Sequence, residues 1–345
     1  MKKAIVLGAT GGVGAPLTVE LVKRGVQTVA FGRSSTKLNE LAEQLDHSPL
    51  LTLEIGDAFK PEDILRAGEG ADVIFHSANI PYHEMESRLL PLGESVMTAA
   101  EKLGAKVVVV DGIYPYGRRL MEKATEDHPK NPHTRKGKVR LAYEQLIFSS
   151  RWHKAKPLIV RLPDYYGPSA QASYLSVTME AIAAGKPTAF IGNMSVPREY
   201  VYLPDAARMI VEIATREESY GQNWHIPGPG VISGHELVRI AQQAAGKRKT
   251  VMPLGRIGLS LIGLFNPVMK EVVEMLYLTE EPLVLSGEKY ERLIGPIQWT
   301  PHEQAITATM RSLMGKSARE AEDAKGSAAM IYNATLQMFF TKSSN

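Results

Sequence analysis

Three glycines, Gly8, Gly11 and Gly14, recur at three-residue intervals between the apolar run Ala4-Ile5-Val6-Leu7 and a helical pattern that begins at Ala15. A strand that feeds a glycine turn into a helix leaves the first backbone N–H groups of that helix, and the positive end of its dipole, free to hold a phosphate. Glycine lets the main chain approach a pyrophosphate closely. With Thr10, Gly12 and Val13 completing the turn, the implied chemistry is dinucleotide binding. The spacing is G-x-x-G-x-x-G, which differs from the G-x-G-x-x-G of many dehydrogenases. The end of the second apolar run selects the dinucleotide. An acidic residue there would bond a ribose 2′-hydroxyl and repel a 2′-phosphate. This chain instead reads Phe31-Gly32-Arg33-Ser34-Ser35. Arg33 can grip a phosphate through its planar fork and Ser34 can donate to it, so NADP is expected over NAD. Gly56-Asp57-Ala58 and Ser77-Ala78-Asn79 follow the third and fourth runs, where parallel sheets bind ligands. Asp57 would accept from an adenine amino group, or serve only as a turn residue.

These residues need a frame, and the chain supplies one by alternation. Strand-like runs at Ala4–Leu7, Thr28–Phe31, Leu51–Ile55, Val73–His76, Val107–Val110 and Leu158–Leu162 alternate with helical patterns at Ala15–Arg24, Thr36–Leu45, Pro61–Ala67, Arg88–Leu103 and Arg140–Arg151. Strands separated by helices imply βαβ units, and continuously apolar strands imply a sheet covered on both faces. The expected class is α/β, a Rossmann-type doubly wound parallel sheet. After Pro168 the rhythm changes to helices at Tyr174–Ala184, Asp205–Ala214 and Ser233–Ala245 between Gly- and Pro-rich joints. The expected division is a dinucleotide-binding domain over 1–168, a smaller α/β substrate-binding region over 169–314 that can return elements to the main sheet, and a poorly patterned tail over 315–345.

Bulk properties narrow the function. The 345 residues carry a net charge of only +3 with both signs interspersed, so no nucleic-acid partner is called for. The absence of cysteine removes disulfides, thiolate metal sites and a cysteine nucleophile, and suits the cytoplasm. Met1-Lys2-Lys3 before an apolar run imitates a signal peptide, but the glycines interrupt it. The apolar patch from Ile257 to Phe265 is too short to span a bilayer. Leu259–Leu276 reads as a helix that closes the substrate pocket or as one face of a homodimer. The nine histidines show no metal-ligand spacing, no metal is expected, and no G-x-S-x-G elbow occurs. His76, at the end of an apolar strand, reads as a semi-buried core residue.

Taken with Tyr116-Gly117, Arg161-Leu162-Pro163-Asp164-Tyr165-Tyr166-Gly167-Pro168 and Arg198-Glu199-Tyr200-Val201-Tyr202-Leu203-Pro204-Asp205, the landmarks resemble the extended short-chain dehydrogenase/reductases, the group of the sugar-nucleotide epimerases and dehydratases. The resemblance runs from Lys2 to about Leu313. It implies that Leu162 and Pro163 lie beside the nicotinamide, that Arg198 and Tyr200 line the substrate pocket, and that Arg198 takes the position of an arginine that often holds a nucleotide-sugar diphosphate. The family's active site is a serine with a YxxxK pair at the start of a helix. Tyrosine exchanges a proton with the substrate oxygen, lysine lowers the tyrosine pKa and holds the nicotinamide ribose, and serine polarises the oxygen. Here the pattern is rewritten: aligned through Glu144, Lys136 takes the tyrosine position and Arg140 the lysine position, and Gly112 takes that of the serine.

The replacements define the expected catalytic set. Arg140 can hold ribose hydroxyls but cannot serve as a base. Lys136 can act as a general acid if burial or Arg140 lowers its pKa. Asp111 can pair with either or accept a proton. Tyr82, Tyr114, Tyr116 and Asp164 are further candidates for the substrate-oxygen contact. The expected function is an NADP-binding oxidoreductase or epimerase-like enzyme acting by hydride transfer on a small polar alcohol, carbonyl or sugar-nucleotide-like substrate. The alternative is a catalytically degenerate NADP-binding regulator or scaffold.

Overall fold

The computed structural model describes residues 1–170, 173–263 and 271–315. The tail after 315, and part of the apolar stretch Leu259–Leu276, lie outside these residues. The strands are β1 (Lys3–Leu7), β2 (Gln27–Gly32), β3 (Leu51–Ile55), β4 (Val73–His76), β5 (Lys106–Gly112), β6 (Lys156–Leu162), β7 (Asp164–Tyr166), β8 (Thr188–Ile191), β9 (Arg198–Tyr202), β10 (Asn223–His225), β11 (Val231–Ile232) and β12 (Val251–Leu254). Seven of them form one parallel sheet in the order β10-β6-β5-β4-β1-β2-β3. The order reverses between β1 and β4, which opens a crevice at their carboxyl ends.

Two covered faces account for the continuous apolar runs. Successive strand residues point to opposite sides. Ala4, Val6, Val108 and Val160 meet helices α1 (Gly14–Lys23) and, further along the chain, Leu203–Ala214, which packs on α1. Ile5, Leu7, Val107 and Val109 meet the opposite layer. After α2 (Ser35–Gln44) and α3 (Pro61–Ala67), that layer continues with α4 (Met85–Leu103) and α5 (Arg135–Ile147). A run that alternated apolar and polar residues would expose one layer to water. Helix α5 starts five residues before the expected Arg140, because the Thr134 hydroxyl accepts from the Gly137 N–H at 3.1 Å and caps it there. The early start carries Lys136 and Arg140 on the first turns of the helix.

The second half contributes α6 (Tyr174–Ala183), α7 (Leu203–Ala214) and α8 (Gly234–Ala245) together with two small sheets, β11-β9-β7 and β12-β8. It also returns β10 to the main sheet beside β6. Three residues make a weak ladder, and β10 is held by Trp224, which is fully buried and donates through Nε1 to the Ser219 carbonyl at 2.9 Å. Losing such a ring typically costs about 3–5 kcal/mol. No helix among the described residues is long and apolar enough to cross a membrane.

His76 at the end of β4 is buried, with its ring edge-on to Tyr143. Burial first, and then the Arg140 charge, lower its pKa from 6.5 to about 4. An unfolded chain therefore binds this proton more readily than the folded one, so the His76 contribution is complete above pH 6.5 and is lost as the pH falls towards 4. His76→Gln removes that contribution. The stability gap between the native protein and this variant, read from urea midpoints, is expected to shrink from pH 7 to pH 4.5; a constant gap would contradict it.

Candidate active site

A cleft of about 580 Å³ runs along the carboxyl ends of the central strands, and the glycine turn forms one wall of it. Gly8 has φ of +79°, and a Cβ there would lie 2.8 Å from the Ala78 backbone. A Cβ on Gly14 would come within 2.0 Å of the Gly8 carbonyl oxygen, so Gly14 lies beneath the turn and lets α1 pack against it. The Gly11 N–H donates back to the Gly8 carbonyl at 2.9 Å and tightens the loop. Val13 caps α1 with no side-chain acceptor; the Ala15 N–H donates to the Gly11 carbonyl at 3.0 Å and Pro16 has no N–H, so of the first helical turn the Gly14 N–H is left to a ligand. Thr10, Gly11, Gly12 and Val13 line the cleft, as do Ser77, Ala78 and Asn79 across from them. This cradle fits a dinucleotide pyrophosphate.

At one end Arg33 stands exposed in the cleft wall, and among the described residues none hydrogen-bonds to its guanidinium. Ser34 is placed differently: its hydroxyl accepts from the Lys37 N–H at 3.4 Å as the cap of α2, and the residue is not part of the wall. Asp57 and Ala58 are in the wall. One Asp57 oxygen accepts from the Phe59 N–H at 3.1 Å, so the residue shapes its own turn while facing the cleft.

The cleft floor rests on a chain of buried charges. Asp111 at the end of β5 has no exposed side-chain surface. It accepts from Arg140 at 2.6 Å and from Arg161 at 2.9 Å. Arg161, equally buried, also donates to the Gly112 carbonyl at 2.7 Å and to Glu144 at 2.7 Å. Glu144 in turn receives Asn223 at 2.7 Å and pairs with Lys130. Arg140 donates its other nitrogen to Asn79 at 3.1 Å and is itself in the cleft wall. Asp111 therefore pairs with Arg140 and Arg161 and not with Lys136.

Lys136 has no exposed side-chain surface, is absent from the cleft wall, and pairs with Glu271 and with Glu274 at 3.0 Å. Its ammonium lies 5.6 Å from the centroid of the Tyr82 ring. Tyr116 is also outside the wall: its hydroxyl bonds His225 at 2.6 Å in the interior. The cleft is instead faced by Tyr82 and Tyr114, whose hydroxyls are hydrogen-bonded to each other. Burial, and then Tyr82, push the Tyr114 phenol well above its usual range, with a smaller opposing pull from Arg140. Leu162, Pro163, Asp164, Tyr165 and Arg198 continue the wall, while Tyr200 sits with Arg198 in a small side recess. Asp164 keeps exposed surface in the cleft, yet the surrounding protein desolvates its carboxyl and raises its pKa, which Arg198 only partly offsets.

Sequence reasoning passed over Glu199, Leu278 and Leu283, which also line the cleft. Glu199 is visible only as part of the Arg198-Glu199-Tyr200 run, and burial raises its pKa to about 8 against N–H bonds from Leu285 and Gly228. Nothing local marks Leu278 or Leu283.

A family model described as the NAD dependent epimerase/dehydratase family matches residues 4–226. A 3-beta-hydroxysteroid dehydrogenase of Mycolicibacterium neoaurum is 36% identical over 78 residues, which is 23% of this chain and 19% of that protein. The chain thus matches less than a fifth of that relative. Among solved structures, UDP-glucuronic acid 4-epimerase from Bacillus cereus in complex with NAD is similar with a TM-score of 0.72 and 17% identity, over 90% of this chain and 98% of that one. DesIV, a dTDP-glucose 4,6-dehydratase from Streptomyces venezuelae with NAD bound, gives 0.73 and 19% over 90% and 96%. At such identities the likeness is one of fold.

Asp111→Asn tests the charge chain. It leaves two buried guanidiniums short of one counter-charge, and breaking a buried pair costs about 3–5 kcal/mol. Urea unfolding is expected to show a loss of that order. A loss below about 1 kcal/mol, the range of an exposed pair, would contradict it.

Proposed function

The chain belongs to the NAD dependent epimerase/dehydratase family, and from that premise we propose that it is an enzyme of the extended short-chain dehydrogenase/reductase type that uses NADP(H) to interconvert an alcohol and its carbonyl form, or to epimerise through that step. The observation that carries the proposal is the Tyr82–Tyr114 phenol pair, which shares one cleft with the glycine turn and with Arg140.

The cofactor, when bound, donates or accepts the hydride. The α1 N-terminus and Gly11-Gly12-Val13 hold the pyrophosphate. Arg33, whose guanidinium has no hydrogen bond among the described residues although its charge reaches the Glu84 carboxylate, takes the 2′-phosphate, and the chain places no acidic residue at the end of β2. The NAD found with similar folds supports a nicotinamide dinucleotide; the preference for NADP rests on Arg33. Arg140 and Asn79, already bonded to each other, are placed for ribose hydroxyls beside Leu162 and Pro163.

In this reading the Tyr82–Tyr114 pair moves the proton at the substrate oxygen. A phenol is protonated at neutral pH and can donate to an oxygen that gains electron density; burial makes Tyr114 a weaker acid than a free phenol, so its role rests on its position in the cleft. The second phenol can stabilise the charge left behind by donating its own hydrogen bond. The three residues aligned with or near the family's catalytic positions take supporting roles. Asp111 holds Arg140 in place. Lys136 anchors the Tyr82 ring and the 271–274 segment, and Tyr116 ties to the interior through His225.

Two measurements test the proposal. Arg33→Ala is expected to weaken NADP affinity in calorimetric titration by about tenfold or more, the scale of a charge-assisted bidentate contact, while NAD affinity stays the same; a native protein that prefers NAD would overturn the cofactor assignment. Tyr114→Phe is expected to lower kcat by about 100-fold or more with NADPH affinity retained, the usual scale of a lost general acid. Full turnover in both Tyr114→Phe and Tyr82→Phe would remove the phenol pair from the mechanism.

A further inference from the structure

We infer that the substrate this site accepts is a neutral, largely apolar ketone or secondary alcohol, and not a nucleotide-linked or otherwise phosphorylated sugar. The inference rests on the cleft being the alcohol/carbonyl site proposed above, and it is decided by what the part of the cleft beyond the phenol pair offers a ligand.

One side of that part is apolar. Ile113, Tyr114, Leu278 and Leu283 belong to a single hydrophobic cluster, and all four face the cleft, with Pro282 beside them. A substrate lying against this surface gains roughly 25 cal/mol for each Å² of apolar area taken from water, whereas a sugar hydroxyl placed there loses its hydrogen bonds.

On the other side the cationic side chains are engaged by the protein. Among the described residues four line the cleft: Arg33, Arg88, Arg140 and Arg198. Arg88 lies 4.3 Å over the Phe59 ring and bonds Glu84, so it belongs to the Asp57–Phe59 end. Arg140 shares the Asp111 carboxylate with Arg161 and donates its other nitrogen to Asn79, so its fork is engaged by the protein. Arg198 is 4% exposed, donates to the Ile191 carbonyl at 3.0 Å, and lies over the rings of Phe190 and Tyr200 at 4.7 and 5.6 Å. One nitrogen of its fork is thus engaged by the protein, and its Nε is buried with no hydrogen-bond partner among the described residues. Asp164 beside it brings a carboxyl that cancels its charge or repels an anion. Glu199 adds a carboxyl with one oxygen bonded to the Gly228 N–H and the other to the Leu285 N–H, and because burial raises its pKa to about 8 it brings little charge of its own at neutral pH. The N-terminus of α6 borders the cleft at Ser173, and the reciprocal Ser173–Ser176 cap takes up the N–H groups of those two residues. The balance of charge around this pocket suits a ligand with none.

The protein saturated with NADPH is titrated with trans-1-decalone, acetophenone and UDP-glucose, and consumption of NADPH is followed at the same time. At least one ketone is expected to bind about tenfold or more tightly than UDP-glucose. Asp164→Asn is expected to narrow that ratio by strengthening UDP-glucose binding. UDP-glucose binding as tightly as the ketones, or no binding by either ketone, overturns the inference. Failure of NADPH itself to bind would count against the cofactor reading, and a ketone that binds but is not reduced would count against the proton-transfer assignment, so the two can be told apart.

Discussion

A carboxylate without access to water joins the sheet to the site. Asp111 lies between the guanidiniums of Arg140 and Arg161, and Arg161 passes on to Glu144. Each of these charges alone would cost several kcal/mol to bury, and only their alternation in sign makes the arrangement tolerable. Because the four residues come from β5, α5 and β6, the ladder holds these elements at one spacing. Asn223 on β10 adds the edge strand through Glu144. The functional yield is at its outer end, where Arg140 reaches the cleft with its orientation already set by Asp111 and Asn79. A long side chain preorganised in this way loses little entropy when a ligand meets it.

That ladder also explains how a site can keep its geometry after losing the usual tyrosine and lysine. The helix at that place begins at the Thr134 cap and brings Arg140 to the cleft wall. One turn earlier, Lys136 is drawn away from the cleft by Glu271 and Glu274. The phenols come from elsewhere, Tyr82 from the turn before α4 and Tyr114 from the turn after β5. The same 271–283 stretch that neutralises Lys136 brings Leu278 and Leu283 to the cleft. One set of contacts thus removes a cation from the pocket and adds an apolar wall to it.

Much of the architecture was legible. The six strands of the first half, the glycine turn and most helices differ from their expected bounds by only a few residues, since periodicity and turn chemistry act over neighbouring positions. The start of α5 was missed because a threonine cap competes with hydrophobic period as a boundary signal. Asp57, Arg33 and the Ser77–Asn79 run fall in the cleft as strand-end placement implied. Asp111, Arg140 and Lys136 were recognisable as chemically capable residues, but which of them face a ligand was not. Arg161 and Glu144 gave no sign of their part, being charged residues in a strand and a helix with partners out of view.

The sequence by itself determined that this chain builds a parallel sheet with a phosphate turn at its first strand, and that Arg33 stands where an acidic residue would select NAD. Those features follow from residues close together in the chain. Only the tertiary structure decided which charges are spent and which are available. Asp111 meets Arg161 across 50 residues and Lys136 meets Glu271 across 135. Whether a side chain serves as an acid, an anchor or a counter-ion depends on the partners within a few ångströms of it in the folded interior, where low polarity magnifies each contact, and no local pattern encodes those partners.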